Sequence, residues 1–166
     1  MQSELEHYLH MIADLRGQVR ALIADLPAEA LNWRPLPDVD EHAMNSLAVL
    51  AAHMAGAEHF WIAEVIAGQP ATRDRSAEFV TAVEGPAGLL QGLDAVGRET
   101  GAVFAGLTAV DLEGVREVQG KTVTVRWALL HVIDHTALHL GHMQITYQLW
   151  AQGKSKPSAR WFERMP

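Results

Sequence analysis

No cysteine occurs among the 166 residues. That excludes disulfides, thiolate metal ligands and a cysteine nucleophile, and it fits a reducing compartment. Any thiol chemistry has to be brought in by a bound small molecule. Basic clusters are missing as well: 13 Lys and Arg stand against 20 Asp and Glu, the net charge is −7 and the pI is near 5.7. Without runs of Lys or Arg the chain lacks the electrostatic footprint of a nucleic-acid binder. Long apolar runs are also absent. The stretch 47–67 is broken by His53, Glu58, His59 and Glu64, and the opening MQSELEHYLH carries charges where a secretory signal needs an apolar core. The expectation is a soluble cytoplasmic protein whose partner is a small-molecule substrate, with no nucleic acid and no membrane.

What is present is helical period. A chain of this length with 49% hydrophobic residues can bury one continuous core, and one domain spanning residues 1–166 is expected. Leu5, Leu9, Ile12, Leu15, Val19, Leu22 and Leu26 form an apolar stripe on a first helix, with Ser3 and Glu6 as a capping box and Pro27 as its stop. Residues 27–41 read as a long connection, and Asn45 or Ser46 caps a second helix running to about Ala67. After Gly68 and Pro70 the polar TRDRSAE stretch reads as a loop. Gly85-Pro86 then opens a third helix carrying Leu89, Leu93, Val96, Val103 and Leu107. Gly120-Lys121 reads as a turn leading through TVTV into a fourth helix, from about Thr124 to Ala151, closed by Gly153 and Pro157. With no repeat or low-complexity tract, the pattern predicts an all-α four-helix bundle with connections of mixed length.

The fourth helix contains HVIDHTALHLGHMQ. At about 100° per residue, His131, His135, His139 and His142 fall within an arc of roughly 80°. Trp127, Leu138, Ile145 and Leu149 share that arc, so this face is expected to turn toward the bundle core. A lone histidine on an apolar stripe is ordinarily a satisfied core residue. Four together each lose solvation and repel one another on protonation, and a divalent cation satisfies several at once. The row rises about 16 Å, too far for one ion to reach all four. His131 with His135, His135 with His139, and His139 with His142 are all sterically allowed pairs, and spacing does not choose among them. On helix two, His53 lies on the stripe of Val49, Leu50, Ala57, Phe60 and Trp61, whereas His59 sits about 120° away, so His53 is the inward-facing candidate. His7, His10 and His42 read as surface or loop residues.

LNWRP after helix one, then NSLAVLAAHMAGAEHFW, a long third helix, and GKTVTVRWALLHVIDHTALHLGHMQ together resemble the DinB/YfiT-like superfamily over almost the whole chain. The resemblance implies a four-helix bundle of mixed topology that binds one divalent ion, zinc or nickel, through a histidine of helix two and an H-x3-H pair of the last helix. The matching positions are His53, His135 and His139. Many members follow the second histidine of the pair with Arg-Gly-Gln. Here Leu140-Gly141-His142 stands instead, which leaves His142 as a pocket residue or a replacement ligand.

Characterised relatives in that superfamily, bacillithiol transferases and the mycothiol-dependent maleylpyruvate isomerase, use the metal to bind a low-molecular-weight thiol. By resemblance the chain is a metal-dependent thiol transferase acting on an electrophile, in a stress or detoxification role. A divalent ion with three neutral ligands keeps its charge and lowers the pKa of a thiol or a water. His142 and Asp134 are the candidates for orienting a ligand or moving a proton. Asp134 points about 100° away from His135, which suits a surface role better. A hydrolase using metal-activated water is the competing enzyme, although no HExxH supplies a base. A non-catalytic metal or ligand-binding bundle is the third reading. A di-iron site would need paired Glu-x-x-His motifs, and a covalent haem would need CxxCH.

Of the aromatics, Trp33, Trp61 and Trp127 are expected in the core. Trp150 and the segment Arg160 to Phe162 are expected to fold back over the bundle or pack on a second subunit. A homodimer through an apolar helix face is expected from the resemblance.

Overall fold

The structure, a computed structural model, describes residues 3–36 and 44–164. Helix α1 spans Glu4–Ile23 and begins with the expected capping box, Ser3 and Glu6 each accepting a backbone N–H of the other. The connection after Pro27 is not all loop: Ala28–Asn32 forms a short helix, α2. The Asn32 side chain pairs with both backbone groups of Val83, Nδ2 donating at 2.7 Å and Oδ1 accepting at 2.9 Å. His42 lies outside the described residues.

Ser46 caps α3, Leu47–His59, its hydroxyl accepting from the Val49 N–H at 3.2 Å. The helix then widens over Phe60–Ile66 into π geometry. Such wide turns insert a residue and re-aim the next stretch of helix, often beside functional sites. The TRDRSAE stretch is likewise not a plain loop. Asp74 accepts from the Ala77 N–H at 3.0 Å and caps α4, Arg75–Phe79. Helix α5, Ala87–Gly106, starts after Pro86 as expected despite its glycines. The β-branched run TVTV contributes to a two-stranded antiparallel hairpin, β1 Val115–Val118 with β2 Lys121–Thr124. Gln119 and Gly120 at its tip both have positive φ, 51° and 75°, the left-handed pair that a tight two-residue hairpin turn demands. Helix α6, Val125–Trp150, is capped by Thr124.

Helices α1, α3, α5 and α6 form the bundle, with α1 packed on α5 and α6, and α3 packed on the same two from the opposite corner. The core gathers in two apolar clusters that meet at Leu15. One apolar cluster gathers Val19, Leu31, Leu47, Met54, Leu93 and Met143, and a second gathers Ile12, Ile62, Phe104, Leu112, Val125 and Leu129. Between them Glu58 of α3 accepts from Arg16 of α1 and from Thr100 of α5 at 2.5 Å. A polar layer thus crosses the middle of the bundle. Gly97 of α5 makes room for it: a Cβ there would lie 2.7 Å from Arg16 Nε.

Helix α6 corrects one expectation. Its buried face is Val125, Ala128, Leu129, Val132, Ile133, Thr136, Leu140, Met143 and Thr146. The face expected to point inward is largely in water, with Trp127 46% exposed, Leu138 56%, Ile145 54% and Leu149 53%. The helix is apolar on most of its circumference, so the periodicity offers two stripes. The core takes the one with small and β-branched residues, which lets the neighbouring helices approach closely. Trp33 and Trp61 are half-buried. After α6 the chain folds back along α1. Lys156 donates to the Leu22 carbonyl at 3.1 Å and pairs with Asp25, while Arg164 bridges to Asp14 at 2.5 Å. Among the described residues no helix is long and apolar enough to cross a membrane.

Candidate metal centre

Because the histidine row flanks the buried face of α6, it looks along the groove toward α3 and not into the interior. His53 is 7% exposed. Its Nε2 lies 3.1 Å from Nε2 of His135, and its ring centroid is 5.1 Å from that of His139. One nitrogen from each of His53, His135 and His139 falls within 4.8 Å of the other two. A tetrahedral ion with bonds of about 2.05 Å separates its ligand nitrogens by about 3.3 Å, so the His53 and His135 nitrogens already stand near that spacing. Two facing nitrogens need one proton or one cation between them. A further proton, with its positive charge, is opposed here. Burial first, and then the neighbouring imidazoles, push His135 down to about 3, while burial and His53 push His139 down to about 4. Neutral imidazoles are the form that ligates a divalent ion, so this donor set fits one.

The other two histidines of the row stand apart. His131 stacks on Trp127, centroids 4.9 Å apart and planes within 6°, with Trp61 edge-on at 5.0 Å. Burial lowers its pKa, although Asp134 pulls the other way. His142 is exposed, its Nδ1 3.4 Å from Nδ1 of His139. Asp134 is exposed on the side of α6 away from the groove. His59 is engaged elsewhere, with Glu99 at 2.7 Å and Thr72 at 2.8 Å. His7 is exposed and His10 bonds the Arg164 carbonyl at 3.0 Å.

Beside His53 and His135 opens a cleft of about 480 Å³, lined also by Phe60, Trp61, Glu64, Arg73, Arg75, Gln119 and His131. That is within the range of small-molecule sites, with aromatic side chains on its wall beside charged and polar ones. Glu64 cannot act freely in it, because its Oε1 accepts the backbone N–H groups of Thr72 at 2.6 Å and Arg73 at 2.8 Å. Burial would raise the Glu64 carboxyl, yet these bonds and His59 hold it below its ordinary value.

Sequence reasoning missed the residues behind His53. Nδ1 of that ring is 2.8 Å from Glu78 Oε2, and Glu78 is held by Arg73 through Nε at 2.6 Å and Nη2 at 2.8 Å. Phe79 lies against the same ring, centroids 5.0 Å apart. Both come from the segment read as a polar loop. The available signal was Asp74, an N-cap residue type directly ahead of Arg75–Phe79.

Comparison with known proteins agrees with this architecture. A family model described as mycothiol-S-transferase matches residues 7–151. A conserved protein of Enterococcus faecalis superposes with a TM-score of 0.71 at 17% identity, covering 92% of this chain and 99% of the other. A DinB-like protein of Bacillus cereus superposes with a TM-score of 0.73 at 15% identity, covering 93% and 97%. No protein with a curated description matches the chain.

Proposed function

The chain belongs to the mycothiol-S-transferase family of DinB-like proteins, and from that premise we propose that it joins a low-molecular-weight thiol to an electrophilic small molecule at a divalent-metal centre. His53, His135 and His139 hold the ion in this reading. When bound, a divalent ion on three neutral ligands retains positive charge and lowers the pKa of an approaching thiol. The chain's own residues do the rest. The aromatic walls formed by Phe60, Trp61 and His131 exclude water from one side of the cleft and seat the apolar part of the electrophile. The thiol gives up its proton, its sulfur forms a bond to the electrophilic carbon, and that carbon's leaving group departs with the bonding electrons. We assign the proton's path to solvent to His142 and give Asp134, which faces away, no part in it.

The observation that carries this reading is the convergence of three imidazoles, two of which line an open cleft, in a chain with no cysteine of its own. It favours thiol transfer over hydrolysis for one further reason. Among the described residues lining the cleft the carboxylate is Glu64, and its Oε1 already accepts two backbone amides, so the cleft offers no carboxylate base free of other bonds.

The test is metal analysis of untagged protein beside a His135→Ala/His139→Ala variant, followed by transfer assays with mycothiol, bacillithiol and glutathione. We expect about one divalent ion per chain in the parent and none in the variant, with transfer abolished by chelation. Equal occupancy in both proteins would refute the ligand assignment. Inactivity with every thiol would refute the transferase reading.

A further inference from the structure

We propose that Glu78 is a positioning residue that fixes the tautomer of His53, with Arg73 as its clamp and Gly56 as the gap that admits it. The inference rests on the metal-centre reading, in which His53 presents Nε2 to the ion.

Two groups approach His53 Nδ1, and distance decides between them. Glu78 Oε2 is at 2.8 Å and Arg73 Nη2 at 3.4 Å. The Arg73 guanidinium donates to both Glu78 oxygens, at 2.6 Å and 2.8 Å, which is the pairing of a carboxylate, and a carboxylate can only accept. Nδ1 therefore carries the proton, and in a neutral ring that leaves the lone pair on Nε2, the nitrogen facing His135. Metal-bound histidines are commonly oriented by a carboxylate on their other nitrogen, which also makes the ring a stronger donor.

Arg73 keeps that carboxylate in its supporting role. Its guanidinium takes both oxygens in a two-pronged pair, so Glu78 cannot swing round to become a ligand itself. The pair also cancels in charge, so it adds no net charge beside the three imidazoles. Phe79, next in sequence, packs on the face of the His53 ring while Arg75 lies over Phe79 at 4.7 Å. Three residues of this short segment, Arg73, Glu78 and Phe79, meet on the one imidazole.

Gly56 supplies the space. It lies three residues beyond His53 on α3 and so shares its face. A Cβ there would sit 2.0 Å from Glu78 Oε1 and 2.7 Å from its Cδ, and the bundle helix cannot retreat. A helix-interior glycine ordinarily costs about 0.5–1 kcal/mol relative to alanine, so the helix itself would favour alanine here. With alanine there the carboxylate would have to move away.

The experiment combines imidazole nitrogen NMR of metal-free protein with metal affinity by chelator competition, on the parent, Glu78→Ala, Glu78→Gln and Gly56→Ala. In the parent we expect His53 protonated on Nδ1. In Glu78→Ala and Gly56→Ala we expect mixed tautomers and an affinity lower by about ten- to a hundredfold. Glu78→Gln, which keeps an accepting oxygen, recovers part of both. If Glu78→Ala does not fold, Gly56→Ala decides the matter, since it removes no polar group. Parent-like affinity together with an unchanged tautomer in Gly56→Ala and Glu78→Ala would overturn the inference while leaving the metal centre standing. Nε2-protonated His53 in the metal-free parent would overturn it too, whereas a parent that binds no divalent ion refutes the underlying reading instead.

Discussion

Replacing Arg16 with methionine strands a carboxylate in the middle of the bundle. Glu58 is 4% exposed and its partner 14%, and the remaining contact would be the Thr100 hydroxyl. Burial already raises the Glu58 carboxyl above its ordinary value, with Arg16 as the largest influence holding it down. Removing one member of a buried ion pair costs about 3–5 kcal/mol. Some water reaches Arg16, so we expect the lower end, about 3 kcal/mol, a large share of the about 5–15 kcal/mol that stabilises a typical folded protein. The space beside Gly97 accepts the methionine chain, so the loss reports charge and not crowding. Urea unfolding at neutral pH measures it, and adding Glu58→Met should restore most of the stability. The pH dependence has a definite sign. A carboxyl whose folded pKa is raised contributes stability that is present below the ordinary value and lost as pH rises through the folded value. Without Arg16 that folded value climbs further, so the Arg16→Met deficit should shrink on acidification. A deficit under about 1 kcal/mol, or one indifferent to pH, would refute the reasoning.

Metal-free protein should lose stability as pH falls below the ordinary imidazole value, because His135 and His139 stay neutral in the fold until about 3 and about 4 while the unfolded chain takes up protons earlier. Thermal unfolding across pH 7 to 4 should show this slope, and it should flatten in the His135→Ala/His139→Ala variant. Asn32→Ala should cost about 1–2 kcal/mol in urea unfolding, since it leaves both backbone groups of Val83 without their side-chain partner.

Much of this architecture could be read from the residues. The caps at Ser3 and Ser46, the long helices and the Pro86 start of α5 obey local rules that packing does not override. The resemblance to DinB-like proteins chose the histidines that converge, where wheel geometry had left three pairs open. The same wheel went wrong on the orientation of α6, because a helix apolar on most sides gives periodicity nothing to decide with. What could not be read depends on contacts distant in sequence. Glu78 lies 25 residues from His53 and Glu58 lies 42 from both Arg16 and Thr100. Charges in a loop-like stretch look solvated until the fold brings a partner to them. Nor could composition show that a polar layer divides the core, since 49% hydrophobic residues are compatible with one cluster or two.

The hairpin separates what the pocket holds from what it admits. Gln119 reaches the cleft from the tip of a ribbon fastened to the bundle through Arg116, whose Nε donates to the Ile66 carbonyl at 3.0 Å, while the three imidazoles are rooted in the long helices. A change of side chain at Gln119 that keeps its left-handed backbone would alter the cleft's chemistry at a point remote from the helices that carry the donor nitrogens. The part of the cleft wall set by the hairpin and the part set by the helices therefore answer to different residues.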